Sequence, residues 1–294
     1  PYTQLNFVFC GGVTSNVGPV QQGVAWSSSD SVYVTTENRN GIDRSVLFLI
    51  RELLINNTNL GITIIDEQLF GKAEAKMPQV EAQLIINGSS TSTTTTAVQY
   101  IESTICVNFP MISLVYSSRG IGCVITDRRS PLCVATYIVG QNYIFDRATS
   151  IQETSKEELY NSFTLRYAYN AMNDSYTKVI TRNKTNSFIC QISENRIGKR
   201  EYDQIDSVII HDDRTAAYVI EWLADHMALP TYYIEYIALP SLIFTLSLGD
   251  NVKITDQELG FIEEIGTIEK IEYTKGILTL GIRFWVLYNR LTNS

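Results

Sequence analysis

The last 65 residues of the chain admit little besides β structure. Leu278, Leu280, Ile282, Phe284 and Val286 recur at every second position, which puts them on one face of a strand. Thr274-Lys275-Gly276 is a turn, and 265–273 is the strand that leads into it. Further back, Leu242, Phe244, Leu246 and Leu248 alternate, Gly249-Asp250 turns, and Val252 and Ile254 resume the alternation. The final strand is apolar on its other face as well, through Ile277 and Trp285. A last strand of this kind, with no polar blunting at its edge, predicts a closed barrel packed against something else. Phe244, Ile277 and Trp285 are therefore the expected interface residues.

Upstream of this block, 214–229 has a helical period, with Ala216, Val219, Ile220, Leu223 and Met227 as its apolar stripe and Glu221 and Asp225 facing outwards. Asp212 and Asp213 open it, His226 falls in its last turn, and Pro230 ends it, an arrangement that suits the helix dipole. The pair 163–169 and 176–181, joined at Asn173-Asp174-Ser175, is a hairpin with Phe163, Leu165, Tyr167 and Tyr169 on one face and Ala168 on the other. A short strand is expected at 208–210, and 196–200 reads as a basic, solvated loop.

The first 150 residues are mixed. β-like runs at 5–9 and 31–35 are followed by helical spacing from Val46 to Leu54 that stops at Asn56-Asn57. A strand at 61–65, a helix at 67–76 capped by Asp66, a strand at 80–86 and the Asn87-Gly88 turn come next. Eight consecutive Ser/Thr residues (89–96) lead into a helix over 97–108, and then into β-like runs at 112–116, 121–125, 132–139 and 143–145.

Composition narrows the class. With 45% hydrophobic residues and 18% charged, the chain has material for real cores, which excludes disorder as its main state. A formal charge of −8 makes stable binding to phosphate backbones or anionic membranes unfavourable. No stretch is long and apolar enough to span a bilayer. The five cysteines are scattered, odd in number and never in a CxxC pair, so they read as small buried hydrophobes. Asn-x-Ser/Thr sequons at Asn56, Asn87, Asn173 and Asn183 are expected by chance in so Asn-, Ser- and Thr-rich a chain. The chain begins at Pro1, which reads as processing or as a piece of a longer polypeptide.

No nucleophile elbow, phosphate loop, dinucleotide fingerprint, zinc-protease or Ca²⁺-loop motif occurs. His211-Asp212-Asp213 has metal-ligand chemistry, yet helix capping accounts for its acids. Glu157-Glu158 and Glu263-Glu264 are neighbouring acids of the kind found on solvated turns, although glycosidase carboxylates need no fixed spacing. No cofactor, metal or catalytic residue is expected. A receptor- or carbohydrate-binding module and a cell-wall hydrolase stay open as alternatives.

The order of elements resembles the tail-tip or baseplate hub proteins of long-tailed bacteriophages. The likeness runs through the helix at 45–55, Gly61-Ile62-Thr63-Ile64-Ile65, Asp66-Glu67-Gln68-Leu69-Phe70, the Ser/Thr lead-in with its helix, and the hairpin through Arg119-Gly120. In the second half, Asn161-Ser162-Phe163-Thr164-Leu165-Arg166-Tyr167 is similar to that family's "N-x-hydrophobic-x-hydrophobic-x-Tyr" strand. Arg214-Thr215-Ala216 resembles its "R-x-A" helix start, and Leu246-Ser247-Leu248-Gly249-Asp250-Asn251-Val252-Lys253-Ile254 its "L-x-x-G-D-x-V-x-I" barrel turn.

The fold class expected is α+β and β-rich, with β-barrel-like modules and an inserted α+β domain. Residues 1–44 would be an N-terminal β segment, 45–150 an α+β hub domain, and 151–294 a β-barrel-like domain carrying the amphipathic helix 214–229. The resemblance implies a non-enzymatic homotrimer in the virion, at the tail tip, made in the host cytoplasm. Its partners would be the tail tube, the distal tail and tip or fibre proteins. DNA would meet it only in transit through a channel, with Glu263 and Glu264 as channel-facing candidates that repel phosphate.

Overall fold

The structure, a computed structural model, describes residues 45–57, 65–77, 80–82, 97–117, 119–127, 133–141, 143–170 and 173–285. The expected segments at 1–44, 61–64 and 83–96, Ser118 of the hairpin turn, and Val286 lie outside the described residues.

Two hydrophobic cores organise the molecule. The first belongs to a layer of helices and short sheets. Helix α1 (Val46–Asn57) buries Val46, Leu47, Ile50, Leu53 and Leu54, the i, i+3, i+4 spacing that gathers side chains on one helix face. Helix α2 (Glu67–Lys76) starts at Asp66, whose carboxylate accepts the amides of Gln68 and Leu69, each at 3.2 Å. Strands β1 (Ile112–Ser117) and β2 (Gly120–Ile125) form an antiparallel hairpin, and α2 lies on β2. The approach is close because Gly122 has no side chain. A Cβ there would fall 2.6 Å from that of Leu69. The helix expected over 97–108 is present but not uniform: α3 (Ala97–Tyr100) and α4 (Cys106–Asn108) flank a π turn at Ile101–Ile105.

Strands β6 (Phe163–Asn170), β7 (Ser175–Arg182) and β8 (Ile205–Asp206) make a three-stranded sheet in the order β7-β6-β8. Helix α5 (Phe188–Ile197) follows β7, and helix α6 (Asp213–Met227) packs on β6 and β7. The α6 stripe is wider than its sequence pattern: Trp222, Ala224 and His226 are buried beside Ala216, Val219, Ile220 and Leu223.

The second core fills a curled sheet of β3 (Cys133–Ile138), β4 (Ile144–Arg147), β9 (Tyr232–Ala238), β10 (Asn251–Asp256), β11 (Phe261–Thr274) and β12 (Ile277–Phe284). Their order is β3-β10-β11-β12-β9-β4, with β5 (Gln152–Glu153) also on β9. All pairs are antiparallel except β3 with β10. The outer strands meet at one end, where Val139 and Gln141 bridge to Ile144, so the sheet curls into a half-barrel. Leu278, Leu280, Ile282 and Phe284 point into it and are fully buried, as their alternation requires. The fold is thus α+β and β-rich. Each core takes residues from both sides of position 150.

Four expectations are corrected. The final strand is no edge, because β12 has β11 on one side and β9 on the other. The run 242–248 is not a strand. Pro240 opens a 3-10 turn (Pro240–Phe244), and Leu242 and Leu246, one helical step apart, are the pair that goes inward. Residues 208–210 form no strand, although the Ile210 carbonyl accepts the Ala168 amide at 2.9 Å; the strand is β8, three residues earlier. Ala168 is buried, because its φ of 54° breaks the alternation inside β6.

Candidate assembly surface

The residues expected at an interface do not form one patch. Phe244 ends the 3-10 turn and is 89% exposed, and Ile277, the first residue of β12, is 52% exposed. The 3-10 turn packs on β12, so these two apolar side chains belong to adjoining elements. Trp285 lies past the other end of that strand, about 26 Å away at ordinary strand rise. It is 2% exposed and sets its indole edge-on to the His226 imidazole, with ring centroids 5.3 Å apart. His226 in turn stacks on Trp222 at 4.2 Å, and its Nδ1 is 2.9 Å from the Trp222 carbonyl oxygen, which requires the proton on Nδ1. The indole is used inside the chain, tying β12 to α6.

Glu263 and Glu264 are placed by a bulge in β11. Glu263 has φ 49°, its amide donates to Thr255 Oγ1 at 3.1 Å, and its carboxylate lies 3.1 Å from Lys253 Nζ. It is exposed but paired. Glu264 is half-buried and stands opposite Ile254 in the ladder. The same bulge leaves Ile262 83% exposed.

The longest outer strand of the half-barrel is β3. It pairs with β10 on one side, and among the described residues its other side meets the rest of the sheet only at Val139 and Gln141. Cys133-Val134-Ala135-Thr136-Tyr137-Ile138 contains no charge, and Val134, Thr136 and Ile138 face solvent. An uncharged, β-branched edge is a template for a further strand. Its signal was present in the sequence as an uninterrupted β run, but periodicity alone does not say which strand of a sheet lies outermost.

The seam where the sheet curls back is polar. Arg147 on β4 reaches Asp256 at 3.6 Å and also pairs with Glu258. The Tyr236 hydroxyl donates to Asp256 at 3.5 Å, and burial, then the nearby Asp256 charge, raises the phenol well above its ordinary value. At the start of α6, Asp212 caps the Thr215 amide at 2.8 Å, while Asp213 accepts from Tyr167 and Lys178. The two acids act on the helix terminus and its neighbours. Among the described residues no three His, Cys, Asp or Glu side chains gather as a metal site, and no helix is long and apolar enough to cross a membrane.

Solved structures of virion and prophage tail proteins align with this chain. One is a component of the virion of a native gene transfer agent particle, at 12% identity over 74% of this chain and 46% of that one, with a TM-score of 0.44. Another is the 43 kDa tail protein of prophage MuSo2 from Shewanella oneidensis, at 12% identity over 84% of this chain and 69% of that one, TM-score 0.46. A third is prophage tail protein gp18 from Listeria monocytogenes EGD-e, at 10% identity over 69% and 56%, TM-score 0.37. The chain therefore spans about half to two thirds of the length of these proteins. No family model and no curated protein matches the sequence.

Proposed function

We propose that the chain is a structural subunit of a phage tail, acting as a hub at the tail tip that joins the tail tube to tip or fibre proteins. The observation that carries this reading is the order of its motifs together with the elements they occupy. The Asn161–Tyr167 motif runs into β6, Arg214-Thr215-Ala216 begins α6, and the Gly249-Asp250 turn opens β10, as the resemblance requires. Its role is mechanical, without turnover. The subunit forms a homotrimer in the virion, with contacts that use the uncharged β3 edge, Phe244 and Ile277. The acidic balance of the chain serves DNA passage by repelling phosphate from the channel wall, with Glu263 and Glu264 on that wall and Lys253 offsetting the charge of Glu263.

The test has two arms. Antibody to this chain should decorate the distal end of purified tails in negative stain, and light scattering should report a trimer that Ile138→Lys dissociates without loss of fold. A strictly monomeric protein at high concentration, absent from tails, would sink the proposal.

A further inference from the structure

Among the described residues, the strongest packing between elements lies within one core or the other, and the junction between the cores is held by individual contacts. These fall into two groups. On one side, Trp285 packs on His226, which stacks on Trp222, and the chain itself passes from α6 through Pro230 into β9. The second chain crossing lies there too, where Thr154 and Thr231 share hydrogen bonds.

On the other side, two strands away across β11, the turn before β10 rests on the helix layer. Two strand spacings put this about 10 Å from the first group. Here Lys72 Nζ donates to Ser247 Oγ at 2.9 Å and to Asp250 Oδ2 at 2.8 Å. Lys76 Nζ donates to the Gly249 carbonyl, and Asn251 Nδ2 donates to the Asp127 carbonyl at 3.2 Å. Asp250 is 2% exposed and also accepts the Ser247 amide at 2.8 Å. Gly249 sits directly on Val124. One group is aromatic and crossed twice by the chain; the other is a pair of ammonium groups from one helix gripping one turn.

We propose that this junction is a pivot and latch: the half-barrel turns about the Trp222–His226–Trp285 post when Lys72 and Lys76 release the Ser247–Asn251 turn, with both cores intact. Asn251 meets both Asp127, whose carbonyl accepts from its side chain, and Cys133, its ladder partner, so these described contacts keep the opening partial. Release needs no core packing to be broken. It exchanges half-buried charge-assisted hydrogen bonds for hydrated ones, a smaller step than exposing either core. Domain junctions made of polar contacts move by default unless the interface is large and apolar. The proposal stands whether or not the chain is a tail hub.

Thiol labelling of the full chain tests it. In Val124→Cys the new thiol lies beneath Gly249 and reports the latch, while native Cys190, fully buried in the helix-layer core, reports core opening. The introduced thiol should label at least tenfold faster than Cys190. Adding Lys72→Met and Lys76→Met should raise the rate at the introduced thiol a further tenfold and leave Cys190 within twofold. If that protein does not fold, Asp250→Asn takes the place of the lysine changes with the same expected split. Equal rates for the two thiols, a common acceleration of both, or a latch-thiol rate indifferent to the latch substitution would each overturn the mechanism.

Discussion

Replacing Gly249 by alanine isolates how tightly the barrel turn is seated. Gly249 has φ +76°, a conformation that costs an L-residue about 1–2 kcal/mol. A Cβ at that position would lie 2.3 Å from Val124 Cγ1 and 3.3 Å from the Ile125 carbonyl oxygen. Val124 is part of β2, and the carbonyl is backbone, so neither yields as the tip of a flexible side chain would. Forcing a methyl into such packing typically costs a further 1–3 kcal/mol or so. The sum, about 2–5 kcal/mol, corresponds to a fall in melting temperature of about 4–10 °C for a chain of this length. Gly260 supplies the control: it has φ +67° and open space where its Cβ would go. Gly260→Ala should therefore lose only the conformational part, about 1–2 kcal/mol, or about 2–4 °C. Differential scanning fluorimetry of the two variants beside the parent decides it. A loss in Gly249→Ala no greater than in Gly260→Ala would refute the seating of the turn on Val124.

Two further outcomes follow from titratable groups. Burial pushes the Asp66 carboxyl up, but Ser117, the Leu69 amide and Arg119 outweigh it and hold the group below its ordinary value. Its stabilising contribution is present above the unfolded value of about 3.9 and is lost as pH falls through the lower folded value. Asp66→Asn should flatten the acid limb of a urea-stability profile between about pH 2 and 5, and an unchanged limb would count against this account. Among the described thiols, burial raises Cys106 to about 11 and Cys123 further still, while Cys133 is half-exposed and raised by burial with Lys253 and Lys76 opposing. Iodoacetamide at pH 8 should modify Cys133 first among these described thiols in peptide maps of the native protein. Faster modification of Cys123 would contradict the burial assigned to it.

The elements legible in the sequence were those where one physical signal dominates. The β11–β12 hairpin was fixed by strict alternation plus a Lys275-Gly276 turn whose residues both have positive φ. Helix α6 was fixed by its period and an Asp212 cap. Helix α5 escaped because its buried residues, Ile189, Cys190 and Ser193, are mostly small, and Phe188, its largest apolar residue, points to solvent. Its boundary residues were the better guide, since Ser187 caps the Cys190 amide and Gly198 follows its end with φ +79°. At 240–248, Leu242 and Leu246 fit a helical step as well as an alternating strand, and Pro240 was the cue for the former. Trp285 shows the limit of pattern reading for the candidate surface. An aromatic on the second face of a strand was read as a contact between subunits, whereas α6 of the same chain covers it. The open edge of β3 could be found only once strand order was known.

The parallel pairing of β3 with β10 sets a timetable for synthesis. β3 leaves the ribosome roughly 120 residues before β10, its one long ladder partner among the described residues, exists, because Asn251 pairs with Cys133. At elongation rates of about 5–20 residues per second, that is an interval of roughly 6–24 s. In that time the β1–β2 hairpin and the β6–β7 pair can form from neighbouring sequence, but the half-barrel cannot. An uncharged strand with no partner is in that interval a nascent segment open to wrong pairing, with its own copies on a polysome or with any other exposed edge. The strand order of the half-barrel thus makes yield depend on how fast residues 133–284 are translated and on what holds β3 in the meantime.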